Sequence, residues 1–169
     1  MSRRWRIWLS EPAHEQILAA AHEHFPDEIG GVLIGVENGR RPWVTQAVTV
    51  PSRRATPVYY EIPAGARQRV VRRSRRDDPR LGYLGDWHSH PADIGPSDKD
   101  RETMAELAVA RDSGCPRPVL LLARRRGEEY WLDPRQQVGS KLRELQLITA
   151  GPMASDGSLR PPPGRRIGT

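Results

Sequence analysis

Two histidines separated by one residue, His88 and His90, open the stretch HSHPADIGPSDKD, in which Ser97 and Asp100 follow as a Ser-x-x-Asp step. Neutral imidazoles and a carboxylate are the ligand types that Zn²⁺ takes when it keeps one position for water. The two-residue step suits the end of a β-strand, where alternate side chains share a face; on a helix it would turn the rings nearly apart. Asp100 then returns to the metal after a nine-residue loop, Pro91 to Lys99. The chemistry these residues point to is that of a mononuclear catalytic zinc site.

The elements that must position them are readable on either side. Leu81 to His90 is a strand that delivers the histidines, with Leu84 and Trp87 as core candidates and Gly82 and Gly85 letting neighbours close in. Ser97 opens a helix to about Asp112, with Met104, Leu107 and Ala108 on its inner face. Upstream, Arg4 to Leu9 alternates as a first strand, and Ser10 and Pro12 start a helix that Pro26 ends. Ile17, Leu18, Ala21 and Phe25 form its inward stripe, while His14, His22 and His24 read as solvated. The run Val32 to Val36 is a central buried strand; Asn38-Gly39 turns it into a second strand, Trp43 to Val50. Glu28 stands immediately before the central strand. Val58 to Ile62 reads as a short strand and Ala64 to Arg76 as a helix with Val70 and Val71 inward. Pro118 to Ala123 is a buried strand that turns into Glu128 to Leu132. Val138, Leu142, Leu145 and Thr149 give a last amphipathic helix. The expected fold class is α/β: a mixed, mostly antiparallel curved sheet flanked by helices. It forms one domain over residues 1–150, followed by a flexible Pro/Gly/Arg-rich tail over 151–169.

Composition bounds the setting. No stretch of the sequence reaches the roughly 20 apolar residues a membrane span needs, and the first ten residues carry no secretory apolar core, so a cytoplasmic protein is expected. The single cysteine, Cys115, allows neither an internal disulfide nor a thiolate cage. All but two of the 27 basic residues are arginine and the net charge is +6. That balance is compatible with an acidic partner or nucleic acid, but it is read here as a solvated surface because no nucleic-acid motif accompanies it.

An HxH pair serves several metal enzymes, and its neighbours separate them. A zinc β-lactamase would carry Asp and His at fixed steps after the pair, where Ala92 and Asp93 stand; a cupin would carry a nearby Glu. A cytidine deaminase needs a later PCxxC, which one cysteine cannot supply. What remains is HSHP, then PSDKD, with Glu28 in EIGGVLIG far upstream. This ordered set resembles the JAMM/MPN+ zinc metalloprotease family, and in particular its compact prokaryotic JAB members, over about residues 4 to 149. The family usually places ten residues between the second histidine and the aspartate; this chain has nine. The resemblance implies the cytidine-deaminase-like JAB/MPN fold, with Zn²⁺ held by His88, His90 and Asp100; Asp93 and Asp98 are the fallback ligands. It implies that Glu28 moves the proton from the attacking water to the leaving amine and that Ser97 donates to the oxyanion. Ser97 and Asp100 also have the pattern of a helix capping box, and one residue pair can do both.

By the same resemblance the substrate is the C-terminus of a ubiquitin-like protein or its conjugate, held by the region Pro51 to Arg80. Activating and conjugating enzymes are implied as neighbours, as in bacterial antiviral operons. The alternatives are a processing peptidase for a sulfur-carrier protein, a non-catalytic MPN scaffold, or a basic nucleic-acid binder.

Overall fold

The helix of residues 11–24 starts where the sequence says it must. Ser10 is its N-cap, the hydroxyl accepting the Ala13 N–H at 3.2 Å, and Pro12 sits in the first turn. The computed structural model describes residues 5–38 and 41–150. In chain order these form β1 (Arg6–Ser10), α1 (Glu11–His24), β2 (Gly30–Asn38), β3 (Arg41–Thr49) and α2 (Ala66–Asp77). Then follow β4 (Gly82–His90), α3 (Asp98–Val109), β5 (Val119–Arg126), β6 (Glu129–Val138), β7 (Lys141–Glu144) and β8 (Gln146–Ala150). The turn expected at Asn38-Gly39 runs through residues outside those described, although Asn38 and Arg41 pair across it. The proposed tail, 151–169, also lies outside them.

All eight strands form one sheet in the order β7-β6-β5-β4-β2-β3-β1-β8. The ladders β2–β3, β2–β4, β5–β6 and β6–β7 are antiparallel; β1–β3, β1–β8 and β4–β5 are parallel. The two edge strands are consecutive in the chain with only Leu145 between them, so the sheet curls until its edges meet at that corner. Among the described residues no helix is long and apolar enough to cross a membrane.

Both faces of the sheet centre are covered, which is why β2 reads as a continuous apolar run rather than an alternation. On one face Ala13, Ile17 and Ala21 of α1 pack on Ile7, Leu33, Trp87 and Leu121. On the other, α2 covers Val32, Ile34 and Tyr83, and Met104 of α3 covers Leu120 and Leu122. Cys115 is buried on the α2 side. A bulge in β4 sets which residues face which layer. Leu33 pairs with Gly85 and Ile34 with Tyr83, leaving Leu84 as the extra residue. Leu84 and Trp87, of opposite parity, therefore share the α1 core, and Asp86 joins Tyr83 on the other face. Gly85 has φ 153°, and a Cβ there would lie 1.9 Å from the Val119 carbonyl oxygen, so the bulge requires glycine.

Three expectations are corrected. Val58 to Ile62 is not a strand; only an isolated bridge, Thr56 to Tyr59, forms, because both edges of β2 are already taken by β3 and β4. Residues 138–149 are not a helix. Gly139, with φ 58°, makes a two-residue hairpin between β6 and β7, and β8 joins the free edge of β1 with Leu147 opposite Ile7. Two open sheet edges each offer a row of unpaired main-chain groups, and pairing them outweighs a helical spacing of four apolar residues. Phe25 leaves the inward stripe: it is the residue after the last turn of α1, 42% exposed, with the Arg125 guanidinium 3.7 Å from its ring centre.

Candidate metal centre

Alternation along β4 places Asp86, His88 and His90 on the face away from α1, with Trp87 and Ser89 behind them. Ser89, wholly buried, fastens this strand to the segment just before β2. Its hydroxyl accepts the Ile29 N–H at 3.0 Å and its own N–H donates to the Ile29 carbonyl at 2.7 Å. That staple, with the Glu28 N–H bound to the Thr56 carbonyl at 2.9 Å, brings the Glu28 carboxylate over the histidines. Sequence reasoning passed over Ser89; the signal for it was a small polar residue at an inward position between the two rings.

The donor atoms converge. His88 Nε2 and His90 Nε2 are 3.1 Å apart. Asp100 Oδ1 is 3.1 Å from the first and Asp100 Oδ2 is 3.5 Å from the second. Bonds of about 2.0–2.1 Å in a tetrahedral site put neighbouring ligand atoms about 3.3–3.4 Å apart, and the two histidine nitrogens with the Asp100 oxygen nearest each lie close to that spacing. Glu28 Oε1 stands farther off, 3.9 Å from His90 Nε2, within one compact group with both histidines. All are secluded: Glu28, His88 and His90 are buried, and the Asp100 side chain is 12% exposed.

Proton placement follows from the neighbours. The Ile94 carbonyl can only accept, so His90 Nδ1 carries the hydrogen of their 3.1 Å contact, leaving the Nε2 lone pair turned toward the cluster. Burial would lower the His90 pKa, but Asp100, the Ile94 carbonyl and Glu28 together raise it. Burial raises Glu28 above the ordinary glutamate range, and His88 and His90 only partly oppose that. Burial acts in the same sense on Asp100, but its contacts with His88, His90 and the Ser97 N–H reverse it and hold this carboxyl far below the usual range.

Ser97 is the N-cap of α3 and forms the full capping box. Its hydroxyl accepts the Asp100 N–H at 3.1 Å, and its own N–H donates to Asp100 Oδ2 at 2.8 Å. The fallback carboxylates are elsewhere. Asp98 is exposed, and Asp93 is held by Arg126 and Trp131 at 2.8 and 3.0 Å. His14, His22 and His24 stay on α1, outside the cluster.

A cleft of about 300 Å³ leads to the centre past Tyr60, Arg67, Asp86, His88 and Asp100. Its wall is braced by a charged pair that the sequence did not reveal. Arg67 Nη2 lies 2.6 Å from Asp86 Oδ2, and the Tyr83 hydroxyl donates to Asp86 Oδ1 at 2.9 Å. Tyr60 lies nearly parallel to His88, with ring centres 6.3 Å apart, and donates to the Val50 carbonyl at 2.6 Å.

Gly30 pairs with His88, and a Cβ on it would fall 2.3 Å from the Trp87 carbonyl oxygen and 2.7 Å from His88 Cβ. Gly30→Ala is therefore expected to cost about 3 kcal/mol of stability, measured by denaturant unfolding of the metal-free chain. It should also weaken metal binding about 10-fold by pushing His88 out of line. An alanine variant matching the parent in both would show that β2 and β4 are not held this close.

A family model described as prokaryotic homologs of the JAB domain matches residues 10–133. The chain is 30% identical over 150 residues to the probable metalloprotease y4qB of Sinorhizobium fredii, spanning 84% of this chain and 88% of that protein. It is 30% identical over 128 residues to the CD-NTase/cGAS isopeptidase of Enterobacter hormaechei subsp. hoffmannii, covering 70% and 67%. The solution structure of protein DSY2949 from Desulfitobacterium hafniense has the same fold, with a TM-score of 0.64 at 21% identity over 86% of this chain and 93% of that one.

Proposed function

Because the chain belongs to the prokaryotic JAB family and is a hydrolytic metallopeptidase, we propose that it cleaves the isopeptide or peptide bond at the C-terminus of a ubiquitin-like protein. The observation that carries this reading is the arrangement of four side chains. His88, His90 and Asp100 have the mutual spacing of metal ligands, and one further carboxylate, Glu28, lies just outside that triangle. Two imidazoles and one carboxylate with a place left for water are the donor set of a catalytic zinc site, and Zn²⁺ is the proposed ion. When bound, it lowers the pKa of a coordinated water toward about 7 and polarises a carbonyl.

The rest is done by the chain. Glu28 takes the proton of the attacking water and hands it to the leaving amine. A carboxylate whose proton affinity burial has already raised is suited to that exchange. The Ser97 hydroxyl accepts the Asp100 N–H, so its own proton is free to donate to the oxyanion that develops on the scissile carbonyl. Substrate binding has support in the segment expected to be a strand. The main-chain groups of Tyr60, Glu61 and Ile62, beside the cleft, have no hydrogen-bond partner among the described residues. An extended tail laid against them would gain a ladder and a register. The relative named CD-NTase/cGAS isopeptidase supports an isopeptide linkage to a protein in a conjugation system.

The test is incubation of the zinc-loaded chain with ubiquitin-like and sulfur-carrier fusions encoded by its own genome, the products being mapped by mass spectrometry. Cleavage after the last residue of a ubiquitin-like partner, abolished by a chelator and restored by Zn²⁺, is the expected result. Intact fusions in the presence of metal-loaded protein would overturn the substrate class, and cleavage confined to the sulfur-carrier fusion would replace it.

A further inference from the structure

The loop that connects the second histidine to Asp100 is one residue shorter than the usual ten, yet Asp100 arrives at the histidines. Its course is fixed by Asp93, a residue with no contact to the centre. Asp93 Oδ2 accepts from Arg126 Nε at 2.8 Å, and Oδ1 accepts from Trp131 Nε1 at 3.0 Å and lies 3.1 Å from Arg124 Nη2. The Asp93 carbonyl also accepts from Arg124 Nη2, at 3.3 Å. The anchor is itself rigid. Arg124 is opposite His90 in the β4–β5 ladder, is pinned on its far side by buried Asp133 at 2.8 Å, and lies over the Trp131 ring. The loop is thus folded back onto the strands beside His90. The next residue, Ile94, turns its carbonyl to His90 Nδ1 at 3.1 Å, although the residue is 57% exposed.

We propose that Asp93 is a positioning residue: by tying the shortened loop to Arg124, Arg126 and Trp131 it aims the Ile94 carbonyl at His90 and so fixes the tautomer and direction of that imidazole. A hydrogen bond behind a ligating histidine sets which nitrogen is free, and its loss typically weakens metal binding 10–100-fold. The clamp acts one step behind that bond, which puts its expected effect at the lower end. The proposal rests on the reading of His90 as a ligand, and the experiment separates the two.

Two measurements on the full chain suffice. Competition with a chromogenic chelator gives the Zn²⁺ affinity, and imidazole ¹⁵N shifts of the metal-free protein, recorded at alkaline pH where the ring is neutral, give the His90 tautomer. Asp93→Ala is expected to bind Zn²⁺ about 10-fold more weakly and to lose the single Nδ1–H tautomer. Arg126→Ala, at a side chain 70% exposed and therefore safe for folding, should shift both readouts the same way but less. Combined with Asp93→Ala, it should add little. Ile94→Ala keeps the backbone carbonyl and should match the parent in both. Asp93→Ala with parental affinity and a parental tautomer would overturn the clamp while leaving the metal centre intact, as would an Ile94→Ala variant as weak as Asp93→Ala. A parent chain that binds no Zn²⁺ would sink the ligand assignment and the clamp with it.

Discussion

Exchanging Glu28 for glutamine is expected to lower kcat by about 10²- to 10⁴-fold, the usual worth of a general acid–base, while metal content stays at that of the parent. The two halves of this expectation come from one distance. Glu28 Oε1 is 3.9 Å from His90 Nε2, against 3.1 and 3.5 Å for the contacts of Asp100 with the two rings. Glu28 belongs to the same compact group as the histidines, and its longer contact favours a place beside the ligands, within reach of a water held among the other three, over a place in the ligand set. Glutamine keeps the size and one acceptor oxygen but cannot shuttle a proton. Burial already penalises the ionised Glu28 side chain, so the metal-free variant should unfold at no lower temperature than the parent. Turnover of a ubiquitin-like fusion beside metal analysis decides the matter: a metal-loaded glutamine variant that still turns over would remove Glu28 from the chemistry. If instead metal and activity disappear together, Glu28 is a ligand.

Much of this centre was legible because it is written locally. The HSHP step needs only the alternation of a strand, and PSDKD only the first turn of a helix, and both rules act within four residues. The termini of α1 and the doubly buried β2 were readable for the same reason. What stayed hidden depends on partners distant in the chain. Whether residues 58–62 and 141–150 pair as strands is decided by which sheet edges are free, and only β6 and β1 had one to offer. The Arg67–Asp86 pair and the Asp93 clamp bridge separations of 19 and 31 to 38 residues between residues that look like ordinary surface groups in an arginine-rich chain. Asp93 had seemed a reserve ligand because it lies near the histidines in sequence; its partners across β5 and β6 turn it outward.

Asp100 makes two sets of contacts through one carboxylate, and its variants should separate them. Oδ1 meets His88, while Oδ2 is shared between His90 and the Ser97 N–H that opens α3. Asp100→Ala removes both, so metal should be lost at micromolar protein and the metal-free chain should lose about 1 kcal/mol from the broken cap. Asp100→Asn keeps an acceptor for the Ser97 N–H and discards the charge; metal should still be lost, with most of the stability retained. Ser97→Ala does the reverse, costing a similar 1 kcal/mol and leaving metal in place. Its turnover should fall about 10²- to 10³-fold if its hydroxyl serves the oxyanion. Metal content, thermal unfolding of the chelated chain and kcat therefore move in three different combinations across the three variants. The short loop brings the carboxylate to the histidines because the first turn of α3 begins at the centre, and the Ser97 main-chain N–H, which Ser97→Ala keeps, holds Asp100 Oδ2 there. An Asp100→Asn chain that retains a full equivalent of zinc would break this account, since a neutral amide cannot replace the anion between two imidazoles.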